Sequence, residues 1–372
     1  MATNSSRGRK VAVAIFLALF LGGAGIAWTE RSTLLCWLFV HGLARANDAN
    51  RDRWVERVAG LGDVVVPELV EILSDQRPVA CGNARAAMLR MTCDGPTEPR
   101  RFQLATRLAR GWDGFSEPGK VCALEVASTW LRGESASGPE VMSACARLLA
   151  AAAHDDVAET QRSALSFCAA LLARPNGIEA VSPGRALARA CLGHADPATR
   201  VLAVRLALYP GMDLLEDIVP LLADPSAEVR RAAVLVVGPA EQAVRDEALL
   251  PCLHDPDTEV RRLSELALRG RGLRPEHVKL GRTLTDPDPT VRLQVLDLLR
   301  RTPELDAGIW LRRLSHDPSP AVRAAAMRAM CQQTTVDLTD RIDQMARDDP
   351  SPTVCLLARY YLKTTRAAGE EH

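Results

Sequence analysis

Four stretches of the chain alternate apolar and polar positions in nearly the same way: LLADPSAEVRRAAVLVV (221–237), CLHDPDTEVRRLSELAL (252–268), TLTDPDPTVRLQVLDLL (283–299) and LSHDPSPAVRAAAMRAM (314–330). In each, a short apolar run stops at Asp-Pro. Apolar residues then resume at helical spacing, as at Val291, Val295, Leu298 and Leu299. The pattern predicts an A helix, a turn and a B helix. Proline blocks continuation of the A helix, because it lacks an N–H and clashes with the preceding turn. Ser226, Asp257, Asp288, Ser319 and Ser351, two residues past the turn aspartates, are the expected N-caps of the B helices. Pro289, Pro320 and Pro352 then stand at the first helical position, where proline costs least. Each pair has apolar surface on two sides and hides it by stacking on its neighbours.

Asp-Pro occurs at 196, 224, 255, 286, 317 and 349, at spacings of 28, 31, 31, 31 and 32. Five residues after four of these aspartates comes Val-Arg: Val229-Arg230, Val260-Arg261, Val291-Arg292 and Val322-Arg323. The last copy has Val354-Cys355, and the copy at 196 reads as shortened by one residue, giving Thr199-Arg200-Val201. A period near 31 announces a repeat architecture. Over 196–363 the pattern resembles HEAT repeats, in the short form that also occurs in the phycobilin lyase family. The resemblance implies a ladder of hydrogen bonds between neighbouring repeats, in which Asp224, Asp255, Asp286 and Asp317 pair with Arg230, Arg261, Arg292 and Arg323. Cys355 departs from it. Upstream the signal is looser. Residues 154–172 and 82–91 fit turn-and-B-helix units, the second preceded by an A helix over 64–75, and further helices are expected near 99–110, 118–132 and 138–153. The expected fold is all-α: a HEAT-like α-solenoid of about nine helix pairs over 45–363, then a polar tail over 364–372.

The first residues follow a different pattern. Residues 11–28, VAVAIFLALFLGGAGIAW, carry no charge and reach the lower length for spanning a bilayer core. Arg7, Arg9 and Lys10 precede them in a short basic tail (1–10), and Trp28 stands at the far end. One transmembrane helix ahead of the solenoid is therefore expected, with the N-terminus cytoplasmic and the solenoid outside. A cleaved signal sequence, with Gly25-Ile26-Ala27 before the cut, is the alternative and gives a secreted protein. Residues 29–44 read as a juxtamembrane segment or as the first solenoid helix, with a slight preference for the second.

Composition narrows the chemistry. Lysine plus arginine total 46, as do aspartate plus glutamate, so the basic footprint of a nucleic-acid binder is missing. Aromatics are 4%, too few for base-stacking platforms. The ten cysteines contain no C-x-x-C. Cys122, Cys145, Cys168 and Cys191 sit among alanines and leucines and are expected to be small buried side chains. Cys81 and Cys93 flank a helix that sets them about 18 Å apart, too far for a disulfide. His154, His194, His254 and His316 cluster at turns, but stacked repeats hold equivalent positions about 8–10 Å apart, so no metal is assigned. GESASG (133–138) is not the strand-to-helix elbow of a hydrolase, and no phosphate-binding glycine motif occurs. No catalytic, cofactor-binding or metal residue is assigned, and the chain is not expected to be an enzyme.

Three segments remain as candidate contacts. GWDGFSEPGK (111–120) offers Trp112 and Phe115 for partner binding, SDQRPVACGN (74–83) is a lengthened turn, and the B helices form a concave face. The expected function is a membrane-anchored protein-interaction scaffold that docks a protein or peptide, with the membrane engaged through 11–28 and no nucleic acid. A tetrapyrrole-handling or lyase-like enzyme, which the resemblance alone suggests, and a self-associating envelope protein are the alternatives.

Overall fold

The computed structural model describes residues 31–92, 97–132, 138–301, 306–332 and 337–369, and every regular element among them is helical. The chain divides into two compact units, Met1–Leu214 and Leu215–His372.

In the first unit the helices are α1 (Arg31–Ala44), α2 (Arg51–Ala59), α3 (Val66–Glu71), α4 (Pro78–Met91), α5 (Thr97–Gly111), α6 (Glu117–Arg132), α7 (Pro139–Ala152), α8 (Ala158–Leu172), α9 (Val181–Cys191) and α10 (Pro197–Leu206). They pack in two rows. The A row is α1, α3, α5, α7 and α9; the B row is α2, α4, α6, α8 and α10, and each helix touches the next in its row. The apolar stretch 33–43 lies within α1, which buries Cys36, Val40 and Leu43 and packs on α2 and α4. Asn83 of α4 donates to the carbonyls of Leu43 and Ala46, both at 3.0 Å, and so ties the C-terminal end of α1 to α4. Among the described residues, that stretch is thus a helix of the stack.

The second unit contains α11 (Leu215–Ile218), α12 (Ala227–Val237), α13 (Thr258–Gly270), α14 (Pro275–Leu284), α15 (Pro289–Arg301), α16 (Ala307–Leu314), α17 (Pro320–Cys331), α18 (Thr339–Asp348) and α19 (Pro352–Gly369). Two of its A segments are not full α-helices. Val219–Ala223 and Pro251–His254 are single 3-10 turns, each with a proline among its first residues. In the B row, α12 packs on α13, α15 on α17 and α17 on α19, whereas α13 and α15 make no extended contact. Val229, Val260, Val322 and Val354 are buried at the start of their B helices; Val291 of α15 is only half-buried. α19 continues to Gly369, past the point at which the sequence suggested a polar tail.

The turns correct two local expectations. Ser226 and Ser319 occupy the N-cap positions but make no side-chain cap. Asp257 and Asp288 do accept N–H bonds from the first turn of their helices, at 3.0 and 2.8 Å, and the turn aspartate two residues earlier instead holds the N–H of the N-cap residue itself. Asp224, Asp255, Asp286, Asp317 and Asp349 each accept the N–H of the residue two further on, at 2.7–2.9 Å. The copy at 196 is not shortened. Asp196 is the N-cap of α10, accepting from Ala198 and Thr199, and His194 takes the turn position, its Nδ1 accepting the Asp196 N–H at 3.0 Å.

The expectation of a single-pass membrane protein is corrected: among the described residues no helix is long and apolar enough to cross a membrane. Residues 11–28, on which that expectation rested, lie outside the described residues.

Candidate functional site

The predicted ladder residues come together between repeats rather than within one. Arg230 Nε and Nη2 donate to the Asp255 carboxylate at 2.6 and 2.8 Å, while its Nη1 donates to the carbonyls of Asp224 and Pro225. Arg292 reaches Asp317 at 2.7 and 2.8 Å and Arg323 reaches Asp349 at 2.9 and 2.8 Å, each again holding two carbonyls of its own turn. Every such arginine clamps two consecutive turns through a bidentate, charge-assisted pair. The paired aspartates raise all three guanidinium pKa values, chiefly by accepting these hydrogen bonds. Burial alone would raise the Asp349 carboxyl, but the bonds from Arg323 and the Ser351 N–H, with the nearby arginine charges, hold it below the usual range.

Arg261 and Asp286 are not brought together. Arg261 donates to the carbonyls of Asp255 and Pro256 and to Thr258 Oγ1. The Asp286 carboxylate accepts the Asp288 N–H and lies 3.8 Å from His254 Nδ1. This missing rung falls where α13 and α15 touch least.

In the first unit other side chains take the ladder position, a substitution that the Asp-Pro search could not detect. Lys120 Nζ meets the Asp155 carboxylate at 2.6 Å, Gln161 Nε2 donates to the Asp155 carbonyl at 2.9 Å, and Arg200 donates to the His194 carbonyl at 2.7 Å. Cys81 Sγ donates to the Asp75 carbonyl at 3.2 Å, and in the last repeat Cys355 does the same to Asp349.

The ladder fixes the register, and the register exposes the candidate site. Five residues after the ladder position, the B helices carry Ala86, Glu125, Ser166, Arg205, Leu235, Leu266, Asp297, Arg328 and Tyr360. Leu235 and Leu266, in consecutive repeats, are 55% and 58% exposed. Between them α12 and α13 form a groove of about 420 Å³, with Val234, Leu263 and Ala267 completing its apolar wall and Glu241 on its rim. Its floor is made by small residues: a Cβ on Gly238 would sit 2.9 Å from that of Ala267 and 2.8 Å from the Val234 carbonyl. Arg271 secures one end. Its side chain is 3% exposed, and it donates to the carbonyls of Val237, Gly238 and Val244, which closes the C-terminus of α12. Two further depressions, at Ser315–Pro318 with Arg341 and at Arg312–Pro318 with Leu284, are lined by paired charges.

A family model for HEAT repeats matches residues 279–363. The repeats over 279–363 are HEAT-like. No curated protein matches the chain. Among solved structures, the crystal structure of an engineered protein is similar at 16% identity, covering 88% of this chain and 98% of that one with a TM-score of 0.39. HEAT repeats commonly serve as protein-interaction scaffolds.

Trp112 and Phe115, expected as partner contacts, are buried within the helical stack of the first unit at 3% and 8% exposure. Their rings pack edge-on, Phe115 fits against Gly111, and Lys120 lies over the Trp112 ring, so the glycine-rich segment turns its aromatics inward. In SDQRPVACGN, Asp75 and Arg77 form an exposed two-pronged ion pair with each other. Burial pushes the Cys145 and Cys168 thiols up to about 12 and those of Cys122 and Cys191 up to about 11, which disfavours the nucleophilic thiolate. Cys93 lies outside the described residues.

Proposed function

We propose that the chain is a protein-interaction scaffold whose second unit docks an apolar helical segment of a protein partner in the groove between α12 and α13, without covalent chemistry. The supporting observation is the departure from the repeat at one position. Glu125, Ser166, Arg205, Asp297 and Arg328 keep the outward B-helix position polar and Ala86 keeps it small, whereas Leu235 and Leu266 place large apolar side chains there in adjoining repeats, as Tyr360 does alone in the last one. Single exposed leucines need no explanation, but an adjoining pair over a preformed groove marks a contact surface. The helix-in-groove mode uses such a surface, with leucines as anchors and the polar rim as frame.

The experiment is site-specific photo-crosslinking of the full chain in its own cells, with the crosslinker placed in turn at 235, 266, 297 and 328. The expected result is one adduct of defined mass from 235 and 266 and none from 297 and 328. Equal crosslinking at all four positions, or none at the two leucines, overturns the reading.

A further inference from the structure

We propose that the groove between α12 and α13 receives helix α19 of a second copy of the chain, so that the protein associates head to tail. This deepens the docking reading and rests on it. α19 is the other place in the second unit where a B helix shows large apolar side chains to solvent: Leu356 is 65% exposed, Leu357 37% and Tyr360 62%. Leu356, Tyr360 and Lys363 follow one another at helical spacing and share one face. The helix thus presents two anchors, one turn apart, and a cation one turn further.

The charges match. α19 has no acidic residue in its sequence and carries exposed Arg359 and Lys363. On the groove rim Glu241 is exposed and has no ion-pair partner among the described residues. The other charge in the wall, Arg271, is already neutralised by Asp246 and main-chain carbonyls. Glu241 is therefore free to meet the lysine of an incoming α19 while Leu356 and Tyr360 settle on Leu235 and Leu266.

The helix cannot come from the same chain. α13, α15, α17 and α19 follow one another in the B row, so α19 lies three steps from the groove, at about 8–10 Å a step. It is also held on its inner side by α17 and α18. The two surfaces differ, which makes the contact heterologous: each copy offers one groove and one helix, and association extends beyond two unless it closes.

The test is sedimentation velocity of the full chain and three variants. The groove variant is Leu235→Asp with Leu266→Asp; the helix variant is Leu356→Asp with Tyr360→Asp; the charge variant is Glu241→Lys. All positions are exposed, and circular dichroism checks that helicity is kept. The wild type is expected to associate with rising concentration. Each double variant alone is expected to be monomeric, and an equimolar mixture of the two to form a one-to-one dimer, because it still contains one intact groove and one intact helix. Glu241→Lys is expected to weaken association about tenfold or more, and Lys363→Glu added to it to recover the loss. A monomeric wild type, a double variant that associates like the wild type, or a mixture without dimer overturns the proposal. A synthetic peptide of residues 352–369 separates this failure from failure of the docking reading. If the peptide binds the wild-type chain and not the groove variant while the chain stays monomeric, self-association falls and the groove stands. If the peptide also fails to bind, α19 is not the occupant, and the crosslinking at 235 and 266 decides the docking reading by itself.

Discussion

The two units solve the same problem with different side chains. Both must join the turn of one helix pair to the turn of the next. In the second unit, three of these joins are arginine clamps on a buried aspartate, as in Arg292 to Asp317. In the first, Lys120 reaches Asp155, Gln161 holds a carbonyl of its own turn, Cys81 holds the Asp75 carbonyl and meets Ser116 Oγ of the next repeat, and His194 replaces the turn aspartate. Apart from Lys120, what is shared is the main-chain bond: a donor at the start of the B helix satisfies a turn carbonyl that would otherwise be orphaned. The carboxylate pair is an addition, made by Arg230, Arg292 and Arg323 in the second unit and by Lys120 in the first. The difference predicts a second unit stiffened by ion pairs, with one slack join at Arg261, and a first unit held mostly by apolar packing.

The sharpest way to break that comparison is Arg292→Ala against Arg261→Ala. The first leaves the Asp317 carboxylate, 5% exposed, without its cation. Removing one partner of a buried pair is costly, and a loss of about 3 kcal/mol is expected. Arg261 serves only carbonyls and a hydroxyl, so its loss should cost about 1 kcal/mol. Urea unfolding, with hydrogen exchange read over 289–331, checks both. Equal costs would mean that the missing rung is not a weak join.

The corresponding change in the first unit is Lys120→Met. It keeps the aliphatic stem near the Trp112 ring but leaves the Asp155 carboxylate, 4% exposed, with only the Val157 N–H. A loss of about 2 kcal/mol is expected, with exchange quickening in α6 and α8 and not in the second unit. A loss as large as that at Arg292 would erase the distinction between the two units.

Much of this was legible in the sequence, for reasons that also show where reading stops. Asp-Pro plus Val-Arg at a period of 31 carries both the turn and the buried stripe, so the regular repeats and most helix limits follow from it. The partner of each arginine does not. Whether Arg230 meets Asp224 or Asp255 depends on how turns stack, and nothing in a single repeat encodes that. Asp196 misled because Asp-Pro fits both a turn and an N-cap followed by proline at the first helical position. Trp112 and Phe115 misled because glycine and polar neighbours suggested an exposed loop, while Gly111 in fact makes room for the Phe115 ring. Leu235 and Leu266 stand in plain view, yet they become anomalous only after the ladder aligns them with Asp297 and Arg328.

Acid separates the units more gently. The Asp349 carboxyl is held below its usual range, so the folded second unit binds fewer protons there than the unfolded chain. That stability is fully present above the unfolded value, near 3.9, and is lost as pH falls through the lowered folded value. Asp349→Asn should be less stable than the wild type near pH 7 and should show a flatter acid limb. Urea midpoints between about pH 7 and 3 check it; parallel curves for the two chains would remove Asp349 from the acid response.

The smallest effect expected is on stability at the groove itself. Leu235 is 55% exposed and faces outward from α12, so Leu235→Asp removes little buried area and leaves no unsatisfied group in the core. A change within about 0.5 kcal/mol is expected, against a strong loss of docking. The contrast with Arg292 is the informative part. A ladder residue shapes the stack and is felt in unfolding, whereas a groove residue is selected for what it meets. If Leu235→Asp instead destabilises the second unit as much as Arg261→Ala does, the leucine is a packing residue of the repeat. Its exposure would then owe nothing to a partner.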